Sequence, residues 1–294
     1  MTPTAPPDQV AFIGFGEATR AFVSGWGNVR PATMSAFDIK TQSAASRAAI
    51  LAQYDAHGVC GTDSPAAALD GAALVFSLVS ADQALVAAEA AAPCLPAGAL
   101  WLDCNSCAPD TKAQAAEIID AAGGRYVDVA IMAPVHPKRH LVPLLVSGPH
   151  AGRAMCALNA LSMRPQIAGA RVGQASSIKM LRSVMIKGME ALSAECFLAA
   201  RRAGVEDQVL ASLEGSDPDI NWRARASYNL ERMAVHGARR ASEMHEVAAT
   251  VAALGLPCAM SAASAQWQAR IADLQMDPGD DDLIARMDRI LAVI

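Results

Sequence analysis

Two groups of residues have the types and the spacing to do chemistry. The first is Gly14-Phe15-Gly16, which ends the apolar run from Val10. A strand buried on both faces needs glycine where it turns sharply into a helix. A second glycine lets a pyrophosphate approach the backbone, where the N–H groups and dipole of a helix N-terminus favour an anion. Thr19 stands where the full pattern has its third glycine. A helical pattern over Ala18 to Trp26 follows, then a second apolar run, Met34 to Phe37. Asp38 closes that run about 20 residues past the turn, where a carboxylate takes ribose hydroxyls. Asp38 favours NAD, whereas Lys40 beside it suits the 2′-phosphate of NADP, and both cofactors stay open.

The second group lies between Gly173 and Glu190. On a helix, Lys179, Ser183, Lys187 and Glu190 share a face, with Arg182 at its edge. Cations so close repel one another. Ile178, Met180, Leu181, Val184, Met185 and Ile186 leave little of the helix polar, so part of the cationic cluster is expected to face a cleft. An ammonium held among apolar groups and like charges is disfavoured, which brings Lys179 toward the range useful for proton transfer. Ser183 would orient the lysine or a substrate, while Arg182, Lys187 or His236 would pair with a carboxylate or another acidic group.

The elements that must carry these groups follow from the pattern of apolar runs. Beyond Asp38 the sequence predicts a helix over Gln42 to His57, a short strand near Gly58 to Cys60 and a helix over Ser64 to Leu69. Ala73 to Val79 is continuously apolar, as a parallel strand covered on both faces should be. Ser80-Ala81-Asp82 opens another helix, with Ser80 or Asp82 as its cap. Strands over Ala99 to Asp103, Arg125 to Ala130 and Leu141 to Ser147 follow, with a helix over Asp110 to Ala122. From Gly173 onwards only helical spacing is found, over Ala175 to Ala203, Val209 to Leu213, Ile220 to Val235, Ala238 to Leu254 and Ser261 to Leu274. The expected architecture is α/β: a doubly wound Rossmann domain over 1–170 that binds NAD(P), then an all-α domain over 171–294. Pro278 to Asp282 is expected to be a loop that caps the last helix, with a cation site as the alternative.

Bulk properties narrow the function. The 294 residues carry a formal charge of −5 and 53% hydrophobic residues, but only 4% aromatics. Scattered basic residues give no electrostatic footprint for nucleic acid. Asp70, Asp82 and Glu89 interrupt the most apolar region, Ala66 to Trp101, so no membrane span is expected. Met1 to Gln9 lacks the pattern of a signal peptide. With seven scattered cysteines, reduced thiols and a cytoplasmic location are expected. Cys104 and Cys107 form a C-x-x-C without a second pair at ligand spacing, and Pro137 spoils His136 and His140 as a helical ligand pair, so no metal is expected.

Taken together, these motifs resemble the β-hydroxyacid dehydrogenase family, which includes 3-hydroxyisobutyrate and 6-phosphogluconate dehydrogenases. More narrowly, the chain is similar to a bacterial branch whose C-terminal helical domain is named after phosphogluconate dehydrogenase, and the family implies that this domain begins with a long interdomain helix. The resemblance implies that Gly14, Phe15, Gly16, Glu17 and Ala18 form the pyrophosphate turn, and that Val79 and Ser80 lie beside the cofactor. In the family's Asp-x-Ser-Thr-x-x-Pro segment, Asp103 to Pro109 here, Ser106 takes the place of the cofactor-contacting threonine. Lys179 matches the catalytic lysine.

The departures are also specific. The substrate-carboxylate motif Ser-Gly-Gly becomes Met132-Ala133-Pro134, and the asparagine four residues after the lysine becomes Ser183. An acidic residue of the phosphogluconate enzymes becomes Ile186, and the C-terminal Lys-Asp pair becomes Ser242-Glu243. The implied activity is hydride transfer between NAD or NADP and a small hydroxy acid or its carbonyl form, with Lys179 as general acid and base. The alternatives are an imine reductase of the same superfamily and a cofactor-binding regulator without turnover. The family further implies a small-molecule substrate and a homodimer or homotetramer.

Overall fold

A computed structural model describes residues 7–294, so the reading of Met1 to Gln9 lies largely outside the described residues. Two compact units succeed each other in sequence, one ending at Lys179 and the other running from Met180 to Ile294.

The first unit alternates strands and helices: β1 (Gln9–Ile13), α1 (Glu17–Gly25), β2 (Thr33–Phe37), α2 (Ala44–Ala56), β3 (Cys60–Thr62), α3 (Pro65–Leu69), β4 (Leu74–Ser77), α4 (Ala84–Ala91), β5 (Leu100–Asp103), α5 (Pro109–Ala121), β6 (Arg125–Ile131), β7 (Pro143–Ser147), α6 (Ala151–Ala160) and β8 (Arg164–Gly169). The strands form one sheet in the order β3-β2-β1-β4-β5-β6-β7-β8. All neighbours are parallel except β6 and β7. The order reverses between β1 and β4, which is where a doubly wound sheet opens its ligand crevice at the strand C-termini.

Side-chain alternation explains why the central strands are largely apolar on both faces. Val10, Phe12, Leu74 and Phe76 enter a core with Phe22 of α1, Trp26 just after it, and Ile50 and Tyr54 of α2. Ala11, Ile13, Val75 and Trp101 enter a second core, on the other face, with Ala68, Leu69, Ala88, Ala115 and Ile119. A strand covered on both faces takes a polar residue only where a buried partner satisfies it.

The second unit is helical: the C-terminal part of α7 (Gln174–Ala203), then α8 (Glu206–Ser216), α9 (Trp222–Ala253), α10 (Ala259–Asp273) and α11 (Leu283–Leu291). Its main core joins Phe197, Leu198, Leu210, Leu230, Met233, Ile271, Met287 and Ile290. Among the described residues no helix is long and apolar enough to cross a membrane.

Three local expectations need correction. The sequence pattern shows no strand near Arg164, yet β8 pairs with β7 there. It is a half-exposed edge strand containing Pro165, so it lacks the apolar run that marks the central strands. The helices expected on either side of Gly237 are one helix, α9. Gly237 is buried because α10 crosses it so closely that a Cβ there would lie 2.5 Å from the Gln268 carbonyl oxygen. Neither Ser80 nor Asp82 caps α4: Ser80 precedes a short 3-10 turn without a capping side-chain bond, and Asp82 accepts from Gln83 Nε2.

The C-terminal loop does cap the last helix, since Asp282 accepts from the Ala285 N–H at 2.7 Å. Its neighbour Asp281 accepts from Ser227 Oγ. No three His, Cys, Asp or Glu residues among those described are grouped to hold a metal.

Candidate active site

The turn between β1 and α1 can be made only with glycine at its first position. Gly14 has φ +93°, and a Cβ would lie 2.3 Å from the Leu78 carbonyl oxygen. Its N–H donates to the Phe37 carbonyl, which ties the turn to the end of β2. Gly16 precedes α1 with no side chain capping the helix, and a Cβ on it would meet nothing within 4 Å. An open approach to uncapped helix N–H groups suits a phosphate. Glu17 opens α1, and Ala18 packs on the core beneath it. Thr19, fully buried, donates through Oγ to the Gly14 carbonyl at 2.9 Å, so the residue in place of the third glycine braces the turn from below.

Asp38 lies at the end of β2 and is only 9% exposed. Its Oδ2 accepts from the Phe15 N–H at 2.8 Å and its Oδ1 from the Lys40 N–H at 3.0 Å. The carboxylate is therefore aimed by backbone on both sides, and one of those donors belongs to the glycine turn itself. Behind it Phe15 meets Tyr54 edge to face at 4.8 Å. Burial and the nearby Asp38 carboxylate push the Tyr54 phenol well above its ordinary range, so it stays a neutral hydroxyl.

On the other side of the crevice Val79 and Ser80 follow β4. The Val79 N–H donates to Asn105 Oδ1 at 2.7 Å, and Asn105 Nδ2 donates to Ser77 Oγ at 3.0 Å. Asn105 fastens the β4 and β5 loops together; its place between Asp103 and Ser106 was the one available signal for it. Next to it, Lys179 Nζ donates to Ser106 Oγ at 2.5 Å, bridging 73 positions of sequence. Lysine and serine, read from separate motifs, thus meet at the strand C-termini. Met132 and Ala133 follow β6; the Met132 N–H is held by the Pro143 carbonyl and Ala133 packs on the core, so both are partly buried.

Cys104 and Cys107 are buried on either side of Ser106, and no disulfide joins any cysteines among the described residues. Burial pushes the Cys104 thiol up to about 12, which leaves it protonated and unreactive at neutral pH.

The remaining candidates belong to the helical unit. Ser183 and Lys187 are buried, and Lys187 Nζ pairs with Glu243 Oε2 of α9 at 2.6 Å and lies 3.4 Å from Ser183 Oγ. Glu243 also accepts from Arg239 at 3.2 Å. Glu190 pairs with Arg240 and accepts from Gln268 Nε2 at 2.7 Å. The charge of Lys187 on α7 is thus answered by an acid of α9, and Glu190 of α7 answers Arg240 of α9. Arg182 is exposed and His236, on α9, is half-buried.

A Gly-x-Gly turn at the switch point of a doubly wound parallel sheet, followed by an all-helical unit, defines a Rossmann-type two-unit protein. Residues 200–271 match a family described as a domain of unknown function, DUF1932. A conserved hypothetical protein from Sinorhizobium meliloti 1021 is 38% identical over 97% of this chain and 96% of its own, with a TM-score of 0.76. The conserved protein MTH1747, of unknown function and described as structurally similar to 3-hydroxyacid dehydrogenases, is 30% identical over 91% of this chain and 98% of its own, with a TM-score of 0.69.

At 17% identity the fold also matches that of a Mycobacterium tuberculosis 3-hydroxyisobutyrate dehydrogenase solved with L-serine, over 97% of this chain and 99% of that one, at a TM-score of 0.72. An uncharacterised 28.5 kDa protein of Methanothermus fervidus is 30% identical over 118 residues, so the match spans 45% of that curated relative and 40% of this chain. The chain belongs to the β-hydroxyacid dehydrogenase-like family.

Proposed function

We propose that this protein is an NAD(P)-dependent oxidoreductase that moves hydride between the nicotinamide and a small hydroxy acid or the corresponding carbonyl compound, with Lys179 as general acid and base. The observation that carries the reading is the contact of Lys179 Nζ with Ser106 Oγ, an amine beside the loop after β5. The family membership and the open glycine turn support it.

The residues fit a dinucleotide. The N–H groups from Gly16 to Ala18 would bind the pyrophosphate, Asp38 would accept from the adenosine ribose, and Val79, Ser80 and Ser106 would flank the nicotinamide half. A bound nicotinamide supplies the hydride acceptor, or the donor in the reverse direction. The Lys179 amine would take the hydroxyl proton as the carbonyl forms, and its ammonium would return that proton in reduction. Ser106 would hold the nitrogen in place between the two.

Ser183 lies one turn beyond Lys179 on the same face of α7 and would orient the lysine or the substrate. Arg182, Lys187 and His236 are the candidates to pair with a substrate carboxylate, and Lys187 would do so in exchange for Glu243. Met132 and Ala133, in place of a hydroxyl and two glycines, would offer an apolar contact, which separates the substrate from those of the classical enzymes. The division into a cofactor domain over 1–170 and a substrate and dimerisation domain over 171–294, at work in the cytoplasm, completes the proposal.

The test is oxidation of NADH and NADPH against short hydroxy acids, semialdehydes and imines, followed by Lys179→Ala on the best substrate. Loss of a general acid and base is expected to lower kcat by roughly 10²- to 10⁴-fold. A variant with wild-type turnover would remove the lysine from the mechanism, and turnover of imines alone would point to an imine reductase.

A further inference from the structure

Beneath the Lys179–Ser106 contact lies a buried set of charges that the proposed chemistry does not use. Lys112 of α5 is fully buried. Its Nζ donates to the Asp103 carbonyl at 2.6 Å and to Asp103 Oδ1 at 2.8 Å, and lies 3.5 Å from Asp128 Oδ1. Tyr126 donates its hydroxyl to Asp103 Oδ2 at 2.7 Å. Burial works against the Lys112 ammonium, but Asp103, Cys107 and Asp128 outweigh it and hold it charged well above the usual lysine range.

Each carboxylate of the set governs one side of the contact above. Asp103 Oδ1 accepts from the Asn105 N–H at 3.0 Å, which shapes the loop that carries Ser106. Asp128, on β6, governs the helix. Its Oδ2 accepts from the Gly173 N–H at 3.1 Å, the Ser176 N–H at 3.0 Å, Ser176 Oγ at 3.1 Å and Ser147 Oγ at 2.9 Å. Ser147 Oγ in turn accepts from the Ala175 N–H at 2.9 Å. The first turn of α7 is therefore capped by side chains of the sheet, and Lys179 stands one turn further along the same face from Ser176.

Stability alone gives a weak reason for this arrangement. A buried ion pair replaced by well-packed apolar residues often costs nothing, because removing the charges from water offsets their attraction. What apolar residues cannot do is fix direction: a carboxylate with four donors sets where the helix begins and how it is rotated about its axis. A rotation of one residue would carry the Lys179 side chain about 100° around the helix, away from Ser106.

We propose that Asp128, with Lys112 bridging it to Asp103, is a positioning residue that sets the start and rotation of α7 and so holds Lys179 against Ser106. The inference deepens the reading of Lys179 as acid and base and rests on it for its catalytic meaning, but its test uses neither cofactor nor turnover.

In the full chain, amide hydrogen exchange at Gly173, Ala175 and Ser176 and the ¹⁵N-detected titration of Lys179 Nζ, assigned with Lys179→Arg, are measured for wild type, Asp128→Asn and Ser176→Ala. Asp128→Asn is expected to speed exchange at Gly173 and Ser176 roughly ten- to a hundredfold and to move the Lys179 midpoint, while β1 and β4 keep their protection. Ser176→Ala is expected to shift both in the same direction by less.

A purely structural role would speed exchange and leave the Lys179 titration where it is in wild type, and that result would overturn the proposal. So would unchanged exchange at Gly173 and Ser176. If Asp128→Asn does not fold, Ser176→Ala decides alone: a wild-type Lys179 titration in it overturns the inference. Should Lys179→Ala instead prove fully active, the reading of function fails while the coupling measured here stands or falls separately.

Discussion

Asp38 shows how much a single side chain can be committed before any ligand arrives. Its two oxygens already accept from the Phe15 and Lys40 N–H groups, so the carboxylate stays put at the end of β2. A ribose with two free hydroxyls can still donate to the remaining lone pairs, whereas a 2′-phosphate would bring two negative groups together. Lys40, exposed beside it, offers partial compensation at best because an exposed charge is screened. NADH is therefore expected to bind more tightly than NADPH in fluorescence titrations, and Asp38→Ala to narrow or reverse the ratio by weakening NADH alone. Equal affinities for the two cofactors in wild type would show that Asp38 does not reach the ribose.

At the scale of elements, the tightest approach in the helical unit is that of α9 and α10. The Gly237 site leaves 2.5 Å between an added Cβ and the Gln268 carbonyl oxygen and 2.9 Å to Ala272 Cβ, so even a methyl group must push the helices apart. Gly237→Ala is expected to destabilise the protein by about 1–3 kcal/mol, as overpacking does, seen as a lower urea midpoint. The gain in helix propensity of ~1 kcal/mol on replacing a helical glycine would win only if the helices could separate at no cost. An unchanged or raised midpoint would mean that they can.

The whole molecule leaves a stripe of α7 uncovered. Leu181, Met185 and Leu192 are 43%, 66% and 51% exposed, at spacings that place them along one side of the helix. Adjacent large apolar residues left in water mark a surface that another molecule covers, and a second copy of this chain is the partner that the proposed dimerisation domain implies. Light scattering is expected to give at least a dimer for wild type, and Met185→Asp to shift it toward monomer with the fold intact by circular dichroism. A wild-type monomer at micromolar concentration would remove the proposal.

Local order alone was enough for the glycine turn, the two-faced strands and the long helix after Gly173. Each depends on neighbours within a few residues: a sharp turn needs glycine, a covered strand needs an apolar run, and a helix needs its 3.6-residue spacing. For the same reason Lys179, Ser183 and Lys187 could be placed on one face of α7 from their spacing.

Their partners could not be placed. Ser106 stands 73 residues from Lys179 and Asp128 stands 45 from Gly173, and no local rule relates such pairs. In the sequence Lys112 is one lysine within a helical stretch and Asp128 one acid within the strand pattern of Arg125 to Ala130, and neither points to the other. Only the packed sheet brings the two together and makes them a buried ion pair. The tertiary structure also supplied Glu243, the acid that answers Lys187, because the balance of charge in a fold is settled across elements rather than along one.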